Sequence, residues 1–206
     1  MKKVIMRSTT ISNDSESRLI TGCAVVFDSW SVDLGGFNEI IHRGAITQEL
    51  INNSDIIMNI NHDDDKMVAR YCKGNGTLSL ELKDDGLYFS FEAPTTALGD
   101  ELLYNVRNGN LFECSFAFTI TEVDGAERWY KAEDGSIKRE INLIDGLYDC
   151  SIVTHAAYSA TSCNARQLRG LEIEAVNPQE MLQSYQRNID AKYDNELKSL
   201  EKYIII

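Results

Sequence analysis

The chain has 206 residues and a formal net charge of −12, with 43% hydrophobic and 25% charged residues. This composition is typical of a soluble globular protein with one well-packed domain and a smaller appendage. So acidic a surface repels phosphate groups and anionic lipids, which argues against binding to nucleic acid or membranes. The five cysteines include no Cys-x-x-Cys pair, and they predict reduced thiols, without a disulfide framework or a structural zinc site.

The first part of the chain reads as short strands with one helical segment. Residues 17–27 are typical of a buried strand, and residues 37–41 of a short strand or turn. Residues 44–50 predict one or two helical turns. A further strand is predicted to carry four residues on one face, namely Ile56, Met58, Ile60 and His62.

The middle of the chain predicts two hairpins and a helix. The clearer hairpin turns at Asp85 and Gly86, and apolar residues alternate along its arms: Leu78, Leu80, Leu82, Leu87, Phe89, Phe91 and Ala93. Thr95 or Thr96 caps the helix, Gly109 ends it, and its buried stripe consists of Leu98, Leu102, Leu103 and Val106. A second hairpin is predicted around residues 134–135.

A long amphipathic helix is predicted near the end of the chain. Asn177 suits the N-cap, Pro178 the first turn, and Glu180 the reciprocal capping position. Apolar residues then recur every three or four positions: Leu182, Tyr185, Ile189, Tyr193, Leu197, Leu200 and Ile204. We therefore expect a helical tail of residues 171–206 after a mostly β domain of residues 1–170.

The strand predicted over residues 111–120 carries the first candidate for chemistry. Its alternation places Cys114 and three large apolar residues on one face and Ser115 on the opposite, open face. A small hydroxyl on a rigid strand can act as a nucleophile, although a solvated strand serine fits the position as well. Cys114 is the rival nucleophile, but it points among phenylalanines, where a thiol is an inert hydrophobe.

Three histidines limit the choice of a general base. An imidazole at His62 could take the proton of a serine hydroxyl and return it to a leaving amine, if a third group held its other nitrogen. Asp149, on a strand predicted over residues 147–154, could be that group, and so could His155, on the same parity. A histidine that merely ends a strand is the structural alternative for His62, and His42 is assigned to the surface.

These residues lie in sequence blocks that resemble the HK97-type prohead proteases of tailed bacteriophages, the serine proteases of capsid maturation. The similarity extends from about Gly22 to about Arg166. Its blocks are Gly22-Cys23-Ala24-Val25-Val26-Phe27, Glu39-Ile40-Ile41-His42-Arg43-Gly44-Ala45, Asn61-His62-Asp63, Asp85-Gly86-Leu87, Ser115-Phe116-Ala117-Phe118 and Asp149-Cys150-Ser151-Ile152-Val153-Thr154 with Ala157-Tyr158.

The resemblance implies an α+β, mostly β fold: an assemblin-like closed or partly open β-barrel with a few flanking helices and the long C-terminal helix. It implies His62 as general base, Ser115 as nucleophile and Asp149 as third member. His155 is the alternative third member, as in herpesvirus assemblins, and Arg166 is a candidate for organising the oxyanion site. Asp149 stands where the family usually has glutamate, so its reach is one methylene shorter.

The activity implied is that of a viral serine endopeptidase without metal or cofactor. Its substrates would be scaffold, or the scaffolding segment of the major capsid protein, and the protease itself, inside the immature procapsid in the host cytoplasm. Residues 171–206 would be a removable or capsid-targeting tail. Alternatively, they would be a packing or dimerisation element, which would allow a homodimer. The alternative is an inactive protease-like module that binds capsid subunits. A metal-dependent hydrolase would need ligands beyond His62 and the acidic residues 63–65, which read as a solvated turn.

Overall fold

A computed structural model describes residues 17–154 and 177–201 of the chain, with side chains up to residue 193 in the second range. Within these ranges a short 3-10 helix spans Asp64–Lys66, and the α-helices are α1 (Gln48–Asn53), α2 (Ala97–Arg107) and α3 (Pro178–Glu201). The strands are β1 (Leu19–Val26), β2 (Phe37–Ile41), β3 (Asp55–Ile60), β4 (Ala69–Cys72), β5 (Asn75–Gly76), β6 (Ser79–Lys83), β7 (Gly86–Glu92), β8 (Glu113–Thr119), β9 (Glu127–Lys131), β10 (Ile137–Ile141) and β11 (Gly146–Val153). The predicted α+β, mostly β class is confirmed.

The described strands form three open sheets. Their orders are β1-β7-β6, β2-β10-β9 and β5-β4-β3-β11-β8. Most neighbours are antiparallel, but β10 runs parallel to β2, and β11 runs parallel to β3. Strand β1 lies beside β8, which brings the first and third sheets together. No closed barrel joins the strands of residues 17–154, so the predicted assemblin-like barrel is not confirmed.

The elements predicted from local patterns are present with small shifts. In the β6–β7 hairpin Lys83 pairs with Gly86, so the turn lies one residue earlier than predicted. The hydroxyl of Thr96 accepts the N–H of Gly99 at 3.2 Å and caps α2. Just beyond α2, Gly109 has φ +70°, a left-handed conformation that glycine adopts without strain.

The main hydrophobic core lies between the first and third sheets and under α2. On β8, Phe116 is buried, and its ring stacks on that of Phe118 with 5.0 Å between centroids. Cys114, Phe118 and Ile120 pack against the same core. The alternation predicted for this strand is therefore confirmed on its apolar face. Further members of this core include Ile20, Val25, Ile56, Met58, Leu87, Phe89, Phe91, Leu102 and Cys150.

The predicted C-terminal helix is confirmed as α3, which starts after Asn177. The Asn177 side chain accepts the N–H groups of Gln179 and Glu180, at 3.1 and 3.3 Å. The first turns of α3 pack on the β2-β10-β9 sheet and build a second, smaller core. That core contains Leu34, Phe37, Trp129 and Ile137, with Met181, Leu182 and Tyr185 from the helix.

Candidate active site

The chain reverses direction immediately after β3, and this reversal positions His62. Asn61 and His62 have left-handed backbone conformations, with φ +54° and +57°. The Asn61 N–H donates to the carbonyl oxygen of Ile152, and the Asn61 side chain accepts the N–H of Thr154, both at 3.1 Å. The prediction that His62 continues one face of the strand with Ile60 is wrong, because β3 ends at Ile60 and the left-handed turn redirects the next residues.

His62 is held by a carboxylate from β11. Its Nδ1 lies 3.0 Å from each of the two carboxylate oxygens of Asp149. The His62 side chain is 22% exposed and that of Asp149 10%, so the pair is largely shielded from water. A carboxylate at Nδ1 favours the tautomer in which Nδ1 carries the proton and Nε2 is free to accept one. The aspartate side chain therefore reaches His62 without the additional methylene of a glutamate.

Ser115 lies on the face of the sheet that carries Asp149. The β8–β11 register pairs Ser115 with Ser151 and Ala117 with Asp149, and directly paired residues point to the same side. Ser115 is only 3% exposed, so the expectation of an open face is wrong. The burial is a tertiary effect, which the alternation along one strand does not show.

Three side-chain atoms are buried without a hydrogen-bond partner within the described part of the chain: Ser115 Oγ, His62 Nε2 and Oδ1 of Asn59, the strand partner of Ser151. A buried polar atom without a partner costs about 1–3 kcal/mol, so such atoms are rare outside functional sites. Ser115 Oγ and His62 Nε2 are the two atoms between which a Ser–His hydrolase would transfer a proton.

The nearby thiols lie on the opposite side of the sheet. Cys114 packs against the main core, as its position in the alternation predicts. Burial, and then the negative charge of Asp149, raise the pKa of Cys150 well above its usual range. Cys150 therefore stays a protonated thiol at neutral pH and is not an activated nucleophile.

Among the described residues, the acidic turn after His62 and the other histidine do not join this cluster. Asp63 accepts the N–H of Asp65 at 3.1 Å and starts the 3-10 helix, and residues 17–154 and 177–193 contain no group of three side chains suited to a metal ion. His42 Nδ1 pairs with Asp28 Oδ1 at 2.9 Å, and this hydrogen bond lowers the pKa of Asp28. His155 and Arg166 lie outside the described residues.

Ser151 is a member of the cluster to which the sequence assigned no role. Its Oγ accepts the backbone N–H of His62 at 2.8 Å. Ser151 lies two positions after Asp149 on the same strand, and side chains two positions apart on a strand point to the same face. This alternation is the sequence signal that could have placed Ser151 in the site. The backbone contact itself depends on the turn after β3, which the sequence pattern does not show.

A histidine oriented by a carboxylate, and a buried serine on the same face of the sheet as that carboxylate, are the components of a serine hydrolase site. The family model described as caudovirus prohead serine protease matches residues 2–175, which include His62, Ser115 and Asp149. The chain therefore belongs to the caudovirus prohead serine protease family. No curated protein and no solved structure matches the chain. Family membership supports a serine protease role in capsid maturation, with capsid or scaffold proteins as substrates, inside the phage procapsid.

None of the helices that the structure describes is both long and apolar enough to cross a bilayer.

Proposed function

We propose that this protein is a serine endopeptidase of prohead maturation in which Ser115 is the nucleophile, His62 the general base and Asp149 the residue that orients His62. One observation carries the proposal. His62 Nδ1 is bonded to both oxygens of Asp149, which shares its face of the sheet with Ser115, while His62 Nε2 is buried without a partner among the residues that the structure describes. Family membership supports the same reaction class.

The chemistry would be acyl transfer in two halves. His62 Nε2 takes the proton of Ser115 Oγ while that oxygen attacks the peptide carbonyl, and the Asp149 carboxylate stabilises the imidazolium that forms. His62 then returns the proton to the leaving amine. In the second half His62 deprotonates a water molecule, which releases the acyl group from Ser115. Backbone N–H donors, and Arg166 as a further candidate, would stabilise the oxyanion.

The substrates we propose are the scaffold, or the scaffolding segment of the major capsid protein, and the protease itself, inside the immature procapsid in the host cytoplasm. Residues 1–170 would form the protease domain, related to the assemblin barrel, and residues 171–206 a removable or capsid-targeting tail. A homodimer is compatible with this scheme. His155 remains the alternative third member beside Asp149.

The test is the intact mass of both proteins after coexpression with the major capsid protein, for wild type and Ser115→Ala. We expect wild type to shorten itself and the capsid protein, and Ser115→Ala to leave both intact. The variant should fold, because alanine fills nearly the same buried volume and leaves no hydroxyl unbonded. A folded wild type that assembles with the capsid protein and cuts neither chain would contradict the proposal and favour the inactive binding module.

A further inference from the structure

We infer that Ser151 is a positioning residue that holds the general base His62 in place; this rests on the proposed function. The Ser151 side chain is 1% exposed, and its Oγ accepts the backbone N–H of His62 at 2.8 Å. The same hydroxyl donates to the carbonyl oxygen of Asn59 at 3.4 Å. One buried hydroxyl thus links β11, β3 and the turn that carries His62.

The turn at His62 requires such an anchor. Two consecutive non-glycine residues, Asn61 and His62, are in the left-handed region, which is disfavoured for residues with a Cβ atom. A conformation of this kind persists only where the surrounding structure holds it. The bonds of Asn61 to Ile152 and Thr154 secure the first residue of the turn, and the bond from Ser151 secures the N–H of His62 itself.

The position of Ser151 in the sheet connects its contact with His62 to the reaction. In the β8–β11 register Ser151 is the direct partner of Ser115, and Asp149 lies two residues earlier on the same face. Strand β11 therefore holds His62 at two points, the ring through Asp149 and the backbone through Ser151. Two attachments to one rigid strand restrict the direction in which Nε2 points relative to Ser115.

If Ser151 had a purely structural role, its hydroxyl would only satisfy buried backbone groups. Ser54 is a matched control, because its hydroxyl has such a structural role. It is also a buried serine, 9% exposed, and its Oγ donates to the carbonyl oxygen of Leu50 at 2.6 Å at the end of α1. Removal of the Ser54 hydroxyl should affect folding in the same general way as removal of the Ser151 hydroxyl, without altering the position of His62.

The experiment compares full-length wild type, Ser151→Ala, Ser151→Cys and Ser54→Ala. Cysteine keeps nearly the shape of serine but is a weak acceptor, so it tests the hydrogen bond with little change in packing. The first readout is the second-order rate of reaction with a fluorophosphonate, in which Ser115 Oγ bonds to phosphorus and fluoride leaves. The second is the proton resonance of His62 Nδ1–H, assigned by its loss in His62→Gln.

We expect both Ser151 variants to fold, to react about a hundredfold more slowly and to shift the His62 resonance, because a displacement of about 1 Å can cost a factor of this size. Ser54→Ala should keep the wild-type rate and resonance. If either Ser151 variant folds and keeps the wild-type rate and the wild-type resonance, the inference is wrong. Failure of both variants to fold would assign Ser151 a structural role only. A wild type that does not react at Ser115 would instead contradict the proposed function, and the inference with it.

Discussion

The Nδ1 atom of His62 lies 3.0 Å from both carboxylate oxygens of Asp149, although the two residues are 87 positions apart in the chain. The contact depends on the parallel pairing of β3 with β11, which places Asp149 opposite Ile57. It also depends on the turn that follows β3. The position of the candidate base is thus set by long-range strand pairing.

Removal of the Asp149 charge should nearly abolish proteolysis. Asp149→Asn keeps the shape of the side chain, but its amide can donate to Nδ1 and so favours the wrong imidazole tautomer. In an equivalent Ser-His-Asp site such a change lowers kcat by a factor on the order of 10⁴. The measurement is the rate of capsid-protein cleavage by purified variants.

A second His–Asp pair in the chain provides the control for this variant. His42 Nδ1 and Asp28 Oδ1 are 2.9 Å apart, and both side chains are more exposed than those of His62 and Asp149. Asp28 has φ +52°, a conformation that asparagine tolerates, so Asp28→Asn should fold and cleave like wild type. Equal cleavage rates of Asp149→Asn and Asp28→Asn would show that Asp149 has no role in catalysis.

The nucleophile should be the serine and not the adjacent thiol. Cys114 packs against the main core, whereas Ser115 lies on the face of Asp149. We expect Cys114→Ala to retain the wild-type cleavage rate while it loses about 1 kcal/mol of stability, a typical cost for one substitution. Ser115→Ala should instead lose cleavage and keep the stability of the wild type. Loss of cleavage in a folded Cys114→Ala protein would favour the thiol as nucleophile.

The charge network at the second sheet should be essential for stability. Arg139 bonds Glu39 and Glu127, both at 2.8 Å, and Glu39 is only 5% exposed. Arg139→Ala leaves the Glu39 carboxylate buried without its cation, which typically costs about 3–5 kcal/mol. Urea denaturation measures this loss.

An exposed ion pair is the comparison for Arg139. Arg70 is bonded to Asp55 with its side chain 48% exposed, so water already screens the pair, and Arg70→Ala should change stability little. Similar losses for Arg139→Ala and Arg70→Ala would show that burial does not strengthen the network.

The first turns of α3 should contribute to folding stability. Tyr185 packs on the small core around Phe37 and Trp129, whereas Tyr193, two turns later on the same helix, is 62% exposed. Tyr185→Ala should lower the free energy of unfolding by about 1–2 kcal/mol, because it uncovers apolar surface. Tyr193→Ala should leave it unchanged. If neither variant changes the denaturation midpoint, α3 does not stabilise the second sheet.

Elements set by local pattern were predictable from the sequence. The β6–β7 hairpin follows from alternating apolar residues around a turn, and α2 from the cap at Thr96 and the glycine at 109. The start of α3 follows from Asn177 and Pro178. In each case the signal and the structure lie within a few residues of each other.

Features that depend on distant segments were not predictable. The short strands β4 and β5 have no strong pattern. Strand β4 exists through pairing with β3, and β5 through pairing with β4. The burial of Ser115 comes from tertiary packing, and the alternation along β8 fits an open face equally well. The hydrogen bond from the backbone N–H of His62 to the side chain of Ser151 joins two segments that the β3–β11 pairing brings together.

The most direct test of the central claim is to map the covalent adduct that a fluorophosphonate forms with the full-length protein. Peptide mass spectrometry on wild type, Ser115→Ala and His62→Gln would locate the modified residue. We expect the adduct on Ser115 in wild type, no adduct in Ser115→Ala and a strongly reduced rate in His62→Gln. An adduct on another residue, or equally fast labelling of Ser115 in His62→Gln, would contradict the assignment of Ser115 as a nucleophile activated by His62.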